Sequence, residues 1–316
     1  MNPIVVLVVA LLAVPLHDIV RRPGFRRLAL RNAVRRPSET ALVVLGAMLG
    51  TAIITAAFVV SDTLDASIRD IARTHHGPVD ESVELEDAQH VDAAMAAVTV
   101  PPPPRTDGVV RLTRANATAA TADDGNPRRA EPDAEVAEVD FDAARRFGAD
   151  PGITGFADAG ATPAQGEAVI GEDLADELQV EAGDTIELFA YGTTRRVAVR
   201  GSVPRLGLAG WPSSSGAESQ VVFVAPGTIA AMAAEGKAPA ASPPVNQILV
   251  SNEGGVFDST VHSAAVKSEL ERRVEGIPGV SVQEPKQDVI DAAEDQSASV
   301  RQLYTGIGQF SVVAGI

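Results

Sequence analysis

The sequence predicts an α+β protein: one or two N-terminal transmembrane helices, a mixed α+β domain outside the cytoplasm, and a helical stalk that returns to the membrane. Three observations support this fold class. Residues 41–60 form an uncharged apolar run, the net charge is positive before that run and strongly negative after it, and short strand and helix patterns alternate beyond residue 77.

The apolar run reads ALVVLGAMLGTAIITAAFVV and contains no charged residue and no Pro, Asn or Gln. As a helix with a rise of ~1.5 Å per residue it would span about 30 Å, the thickness of the hydrocarbon core. Buried helices of soluble proteins are usually shorter and carry a polar stripe, which this run lacks. The run therefore predicts a transmembrane helix at 41–60.

Charge on the two sides of this span predicts its orientation. Residues 1–60 hold seven arginines against two acidic residues, whereas the rest of the chain holds 19 basic and 40 acidic residues. Under the positive-inside rule the arginine-rich side is cytoplasmic, so residues from about 61 onward lie outside. The strongly acidic outer part disfavours nucleic acid as a partner, because phosphate would be repelled. The membrane-orienting arginines are Arg21, Arg22, Arg26, Arg27, Arg31, Arg35 and Arg36.

Two further N-terminal segments are predicted to meet the membrane. Residues 21–40 are a cytoplasmic basic segment, whose apolar side chains are spaced for one helical face between Pro23 and Pro37. This pattern predicts an amphipathic helix on the inner leaflet, with a plain basic flank as the alternative. Residues 4–16 are apolar but short for a span, so 1–20 is either another transmembrane helix or the remnant of a longer one.

Beyond the span, the pattern predicts a stalk and then a domain. Leu64, Ile68 and Ile71 are spaced i, i+4 and i+7, so the helix should continue over 61–76 and end at Gly77-Pro78. Residues 77–284 form the outer domain. Its first part should contain strands near 83–85, 109–112 and 136–139 and a helix at 91–98. Residues 100–135 are predicted to be flexible, with a mobile loop at 116–134.

A small β subdomain is predicted at about 165–226. Strands at 168–171, 185–189, 195–203 and 221–224 are separated by a short helix at 172–178 and by turn signals at Gly183-Asp184 and Tyr191-Gly192. These short strands indicate a small, strongly bent antiparallel sheet or barrel.

The remaining elements complete the domain and lead back to the membrane. Helices are predicted at 228–234 and 260–274, and strands at 247–250 and 280–282. Residues 285–307 predict a second stalk helix. Residues 308–316 become apolar again and predict the start of a truncated transmembrane helix, so we expect this chain to be a fragment or one product of a split gene.

The order of these parts resembles a known family. RRLALRNAVRRPSETALVVLGAMLG is similar to the elbow helix and first span of FtsX-like, MacB-type ABC transporter permeases. AVIGEDLADELQVEAGDTIELF, followed by RRVAVRGSVP, is similar to their extracytoplasmic core domain, with Gly183-Asp184 and Gly201 at corresponding places. The resemblance covers roughly residues 25–75 and 165–316, and the stretch 79–160 matches weakly.

The resemblance implies a permease subunit in the cell membrane, in contact with membrane lipid. Such permeases pair with a second permease copy and with a cytoplasmic ABC ATPase. Closure of the ATPase on ATP moves the membrane helices, and the stalks pass this motion to the outer domain, which is mechanotransmission. Family members move lipoproteins, peptides or drugs, or regulate cell-wall hydrolases. The ATPase contact, a loop after the second span, is expected to be missing from this chain.

The motif search predicts no enzyme, cofactor or metal site. The chain has no cysteine, which excludes thiol chemistry and Cys-ligated zinc. Gly236-Lys237 lacks the upstream glycine of a phosphate loop. His75-His76 beside Asp80 and Glu81 lacks metal-ligand spacing, so a solvated turn is favoured there. A membrane-tethered hydrolase is therefore disfavoured, and an extracytoplasmic sensor remains the main alternative to a permease.

Two sets of residues are candidates for function. In the apolar loop LGLAGWP, Leu206, Leu208 and Trp211 could form an exposed contact surface for lipid, substrate or a partner protein. The alternative is that Trp211, the only tryptophan, closes the open end of the small sheet. The second set couples the two stalks: Leu64, Ile68 and Ile71 are predicted to pack against Val300 and Leu303.

Overall fold

The structure is a computed structural model that describes residues 21, 23–122, 128–211, 220–236, 243–292, 294, 295 and 298. Two compact units are distinguished, residues 1–65 with 295–316 and residues 66–294. The segments predicted at 1–20 and 308–316, and most of the second stalk, lie outside the described residues.

The first unit contains the N-terminal helices. Helix α1 covers Pro23–Arg35, and α2 begins at Pro37 and continues to His76 in the second unit. Proline is favoured in the first turn of a helix because its missing N–H would have no partner there. In the described part of the chain, no helix combines the length and apolar character that a membrane crossing requires. The span at 41–60 stays a prediction.

The second unit is built on one nine-stranded mixed sheet. The strands are β1 (Glu81–Leu85), β2 (Thr106–Thr121), β3 (Ala130–Val139), β4 (Glu167–Gly171), β5 (Thr185–Ala190), β6 (Thr193–Val203), β7 (Gln220–Val224), β8 (Val245–Asn252) and β9 (Val280–Gln283). Their order is β3-β7-β4-β6-β5-β2-β8-β1-β9, and β3 also pairs with β2. Six strands therefore close into a barrel, while β8, β1 and β9 extend from β2 as an antiparallel wing.

Strand β2 joins the barrel to the wing because one of its edges is divided between two partners. Its first half, Thr106–Arg114, pairs with β8, and its last residues, Thr118–Thr121, pair with β5. The opposite edge pairs with β3 from Leu112 to Ala120, with an irregularity between Ala117 and Ala119. Bulges of this kind bend a strand, which allows one continuous strand to serve both parts.

The β subdomain predicted at about 165–226 contributes four of the six barrel strands, β4 to β7, and the barrel is not purely antiparallel. The β4–β6 and β3–β7 pairs are parallel. Helix α5 (Glu172–Leu178) connects β4 to β5, and β6 then returns antiparallel to β5 beside β4. The antiparallel prediction is wrong at these pairs because strands that are not consecutive in the chain lie side by side. Strand β6 lies between β4 and β5, and β7 lies between β3 and β4. The barrel core includes Ile170, Leu174, Leu178, Ile186, Leu188 and Val222.

The flexible region predicted at 100–135 is wrong over most of its length. Strand β2 continues to Thr121, and β3 begins at Ala130. Ala115, Ala117 and Ala119 are at most 6% exposed in the barrel core. A small side chain fits where strands curve closely, but alanine gives little strand signal in a sequence, since it is depleted in strands generally.

The wing is covered by two helices that share one apolar cluster with it. Helices α3 (Val91–Thr99) and α7 (Ser263–Val274) pack on β1 and β8 through Val83, Val98, Ile248, Val266 and Leu270. Helix α4 (Phe141–Arg146) and α6 (Thr228–Glu235) lie on the barrel side. A single helical turn at Gly255–Asp258 precedes α7, and the last described helix, α8, covers residues 285–292.

Candidate functional site

A buried polar cluster lies where α2 and α8 join the wing, and we call it the helix junction. Each of its side chains is at most 1% exposed. Asp80 follows α2 by one short turn, and Glu81 is the first residue of β1. Asn252 ends β8, Ser259 lies in the turn before α7, Ser263 is the first residue of α7, and Lys286 lies in α8.

An ion pair between Asp80 and Lys286 forms the centre of the junction. Lys286 Nζ lies 2.7 Å from Asp80 Oδ1, and both side chains are 0% exposed. Ser259 Oγ donates to the same oxygen at 2.7 Å, and the backbone N–H of Asn252 donates to Asp80 Oδ2 at 2.8 Å. Both carboxylate oxygens are thus hydrogen-bonded, as a buried charge requires. Burial raises the pKa of Asp80, and the Lys286 ammonium and these donors oppose that effect.

Glu81, the next residue, has fewer partners. Asn252 Nδ2 donates to Glu81 Oε1 at 2.7 Å. Its second oxygen, Oε2, is buried and has no hydrogen-bond partner among the described residues. Burial, followed by repulsion from Asp80, raises the pKa of Glu81 from 4.5 to about 8. Glu81 is therefore mostly protonated at neutral pH, and the junction holds one anion against one cation.

The turn between α2 and β1 is fixed by a contact between two backbones. Gly77 and Gly207 have φ of +54° and +52°, in the left-handed region that favours glycine. A Cβ on Gly77 would overlap the Cα of Gly207, and a Cβ on Gly207 would overlap the carbonyl oxygen of Ile153. The end of α2 therefore lies directly on the loop that contains Gly207, with no side chain between them.

The apolar loop at 206–211 packs against the end of α2. Gly207–Gly210 form a 3₁₀ turn, and the rings of His76 and Trp211 lie 5.4 Å apart in an edge-to-face arrangement. Leu208 is 2% exposed and belongs to an apolar cluster with Phe141, Phe156 and Phe223. The predicted exposure of this loop is wrong for Leu208, because the aromatic cluster and the α2 turn cover it.

Leu206 and Trp211 are half-buried, and Trp211 packs against the same aromatic cluster. This cluster is distinct from the barrel core, so Trp211 does not close the open end of the small sheet as the alternative proposed. The loop residues instead form part of the surface on which α2 ends. Whether Leu206 and Trp211 also contact a partner stays a prediction.

The other candidate residues are only partly described. Leu64, Ile68 and Ile71 lie within α2, but their side chains fall outside the described set, as do Val300 and Leu303 entirely. Their packing therefore stays a prediction. Arg21, Arg27, Arg31, Arg35 and Arg36 are exposed, while the side chains of Arg22 and Arg26 are not described.

The chemistry of the junction is structural. Its charged groups are sealed from solvent, so neither the ion pair nor Glu81 can reach a dissolved substrate. Among the described residues, no group of three or more His, Cys, Asp or Glu side chains is arranged to hold a metal ion. What the cluster can do is hold the two helix ends, β1 and β8 in one fixed arrangement.

Sequence reasoning missed the junction because its members are far apart in the chain. Asp80 and Lys286 are separated by 206 positions. In the sequence, Asp80 and Glu81 draw attention only as possible metal ligands beside His75-His76. One weak signal existed: Lys286 is one of only three lysines in the chain, and it lies at the start of the predicted second stalk.

Comparison with known proteins places this fold in the class of outer domains carried by membrane permeases. The sequence matches the family described as MacB-like periplasmic core domain over residues 40–273, about three quarters of the chain, and the chain belongs to this family. This match confirms the resemblance to FtsX-like, MacB-type ABC transporter permeases.

Two further comparisons add little to the family assignment. A domain of a protein classed as a permease from Porphyromonas gingivalis, solved by crystallography, is 14% identical to this chain. It aligns with a TM-score of 0.37, covering 66% of this chain and 91% of that domain. The search of curated proteins found no match.

Proposed function

We propose that this chain is a permease subunit, or part of one, of an ABC-type exporter, which transmits motion from a cytoplasmic ATPase to its outer domain. The family assignment supports the class of protein. The chain itself would bind no cofactor and catalyse no reaction, and ATP hydrolysis would belong to the partner. A second permease copy would complete the assembly in the cell membrane.

The membrane topology is part of this proposal. The uncharged run at 41–60 would cross the bilayer, with the arginine-rich segment before it in the cytoplasm and residues from about 61 onward outside. Helix α2 includes both the proposed span and the proposed stalk without interruption between Pro37 and His76. A continuous helix is a stiff element, which suits it to carry a displacement along its axis.

The observation that carries the proposal is the ion pair between Asp80 and Lys286. It joins the residue just beyond α2 to the start of α8, so both helix ends are attached to β1 and β8 at one place. A movement of either helix would reach the wing through this attachment. The backbone contact of Gly77 with Gly207 provides a second route from α2 to the barrel side.

Distances between spin labels in the full-length protein, reconstituted with its ATPase, test this proposal. These 316 residues contain no cysteine, so introduced cysteines are the only thiol labelling sites within them. Labels at Ala66→Cys and Ala298→Cys, both exposed, report on the two proposed stalks. The distance should differ between nucleotide-free and ATP-bound states. A control pair within the barrel, Asp133→Cys and Asp176→Cys, should keep its distance.

An unchanged distance between the proposed stalks in every nucleotide state would refute mechanotransmission. Failure of the full-length protein to co-purify with any ABC ATPase would refute the exporter assignment. In that case, a signalling domain in the cytoplasm would favour the alternative of an extracytoplasmic sensor.

A further inference from the structure

The helix junction encloses two adjacent carboxyl groups but one ammonium group. Asp80 accepts hydrogen bonds from the ammonium of Lys286, the hydroxyl of Ser259 and the backbone N–H of Asn252. Glu81 receives the amide of Asn252 on one oxygen, and its other oxygen has no geometric hydrogen bond among the described residues. The Ser263 hydroxyl also lowers the pKa of Glu81, but burial and Asp80 raise it more than Asn252 and Ser263 lower it. The hydrogen bonds of the junction are therefore sufficient for one carboxylate and insufficient for two.

A second negative charge in this cluster would be poorly compensated. An ionised group without water or a close counter-ion is strongly destabilising in a protein interior, and such groups bind or release a proton instead. The ammonium of Lys286 is already engaged with Asp80 at 2.7 Å. The neutral form of Glu81 is therefore the form that fits the folded junction.

We propose that Glu81 is a proton-binding site of the helix junction, and that loss of its proton loosens the attachment of α8 to the wing. This inference follows from the junction geometry and does not depend on the export function. Its consequence is a joint that is firmest when the outside is acidic and that loosens progressively as the outside pH rises toward about 8.

Several charged or titratable groups belong to the elements packed around Glu81. Asp80 lies beside it in the chain, and α8 contributes Lys286. Glu284, just before α8, adds negative charge near Glu81 and is itself paired with Lys267 of α7 at 2.9 Å. His262 is half-buried in the turn before Ser263. Any of these groups could add a pH dependence of its own, so the test requires a variant specific to Glu81.

The direction of the effect follows from proton linkage. The pKa of Glu81 is about 8 in the folded junction and 4.5 when exposed. Between these values the closed junction holds a proton that the opened one releases, so opening becomes easier as pH rises. The equilibrium constant for opening of the junction should increase roughly tenfold per pH unit, on the order of 50-fold from about pH 6 to about pH 8, and then level off.

Hydrogen exchange of the full-length protein in lipid nanodiscs measures this opening. Protection of residues 285–292 should fall by the stated factor in the wild type, after correction for the intrinsic pH dependence of exchange. Glu81→Gln keeps the shape and cannot ionise, so its protection should lose the part of the pH dependence that Glu81 contributes and change much less than that of the wild type in this window. Glu86→Gln, the same change at an exposed position just beyond β1, should behave like the wild type.

Two results would overturn the inference: pH-independent protection in the wild type, or the same pH dependence in Glu81→Gln as in the wild type. If Glu81→Gln does not fold, infrared spectroscopy of wild-type protein with ¹³C-labelled glutamate decides instead. A protonated glutamate carbonyl band should be present at about pH 6 and lost by about pH 9. Absence of that band at the lower pH would equally overturn the inference.

Discussion

Replacing Lys286 with methionine removes the ammonium that pairs with Asp80 while keeping most of the side-chain volume. Asp80 would keep its hydrogen bonds from Ser259 and Asn252 but would lose its counter-ion in a site that is 0% exposed. Breaking a buried ion pair by removing one partner typically destabilises by about 3–5 kcal/mol. This energy corresponds to an increase of roughly a hundred- to several-thousand-fold in the equilibrium constant for local opening of α8.

Hydrogen exchange over residues 285–292 is the appropriate assay, because the loss should be local to α8 and its attachment. Lys267→Met is a matched control: it removes the same charge from the pair with Glu284, where the lysine side chain is 31% exposed. Partly exposed pairs contribute less than about 1 kcal/mol, so this variant should stay close to the wild type.

Two further outcomes separate loss of the ion pair from a general packing defect. The effect of Lys286→Met should shrink on acidification, because burial raises the pKa of Asp80 and protonation removes its uncompensated charge. Adding Asp80→Asn to Lys286→Met should restore much of the protection, since neither charge remains. Equal protection in Lys286→Met and the wild type at neutral pH would refute the role of the ion pair.

Two other substitutions test the glycine contact beneath α2 and a buried ion pair between β2 and β3, each followed by urea unfolding of the full chain with Trp211 fluorescence as the signal. Gly207→Ala should destabilise by about 3 kcal/mol or more, because its φ of +52° is strained for alanine and the Cβ has no space. Gly227→Ala, with positive φ but open space, should lose only about 1 kcal/mol, and equal losses would contradict the close contact. Arg114→Met should leave Glu135 buried and unpaired, with a loss of about 3–5 kcal/mol, whereas an unchanged midpoint would contradict that pairing.

The sequence predicted the elements that have a strong local signal. Helix α5 begins and ends where its acidic first turn and leucines indicate, and β6 follows the alternation of Val197 and Val199. The end of α2 at Gly77-Pro78 was also predicted correctly. In each case neighbouring residues alone determine the structure, either through the periodicity of their apolar side chains or through a residue that cannot continue a helix.

The elements that sequence reasoning missed depend on contacts between distant segments. The alanines of β2 become recognisable as core residues only when the barrel closes around them. The loop containing Leu208 has no periodic pattern, and its burial depends on α2 ending directly above Gly207. Asp80 and Lys286 each have the appearance of an ordinary surface charge in the sequence, because the fold alone brings them together.

A buried ion pair is an unusual way to attach a helix if stability alone is required. Apolar side chains of similar volume are often as stabilising or more so, because two charges must give up their hydration. Apolar contacts are, however, non-directional, and they tolerate sliding of one element along another. The Asp80–Lys286 contact is directional, and Ser259 and the Asn252 backbone fix the carboxylate from other sides. The junction therefore resists displacement of α8 along the sheet better than an apolar contact of equal strength would, and the proposed transmission of motion requires such resistance.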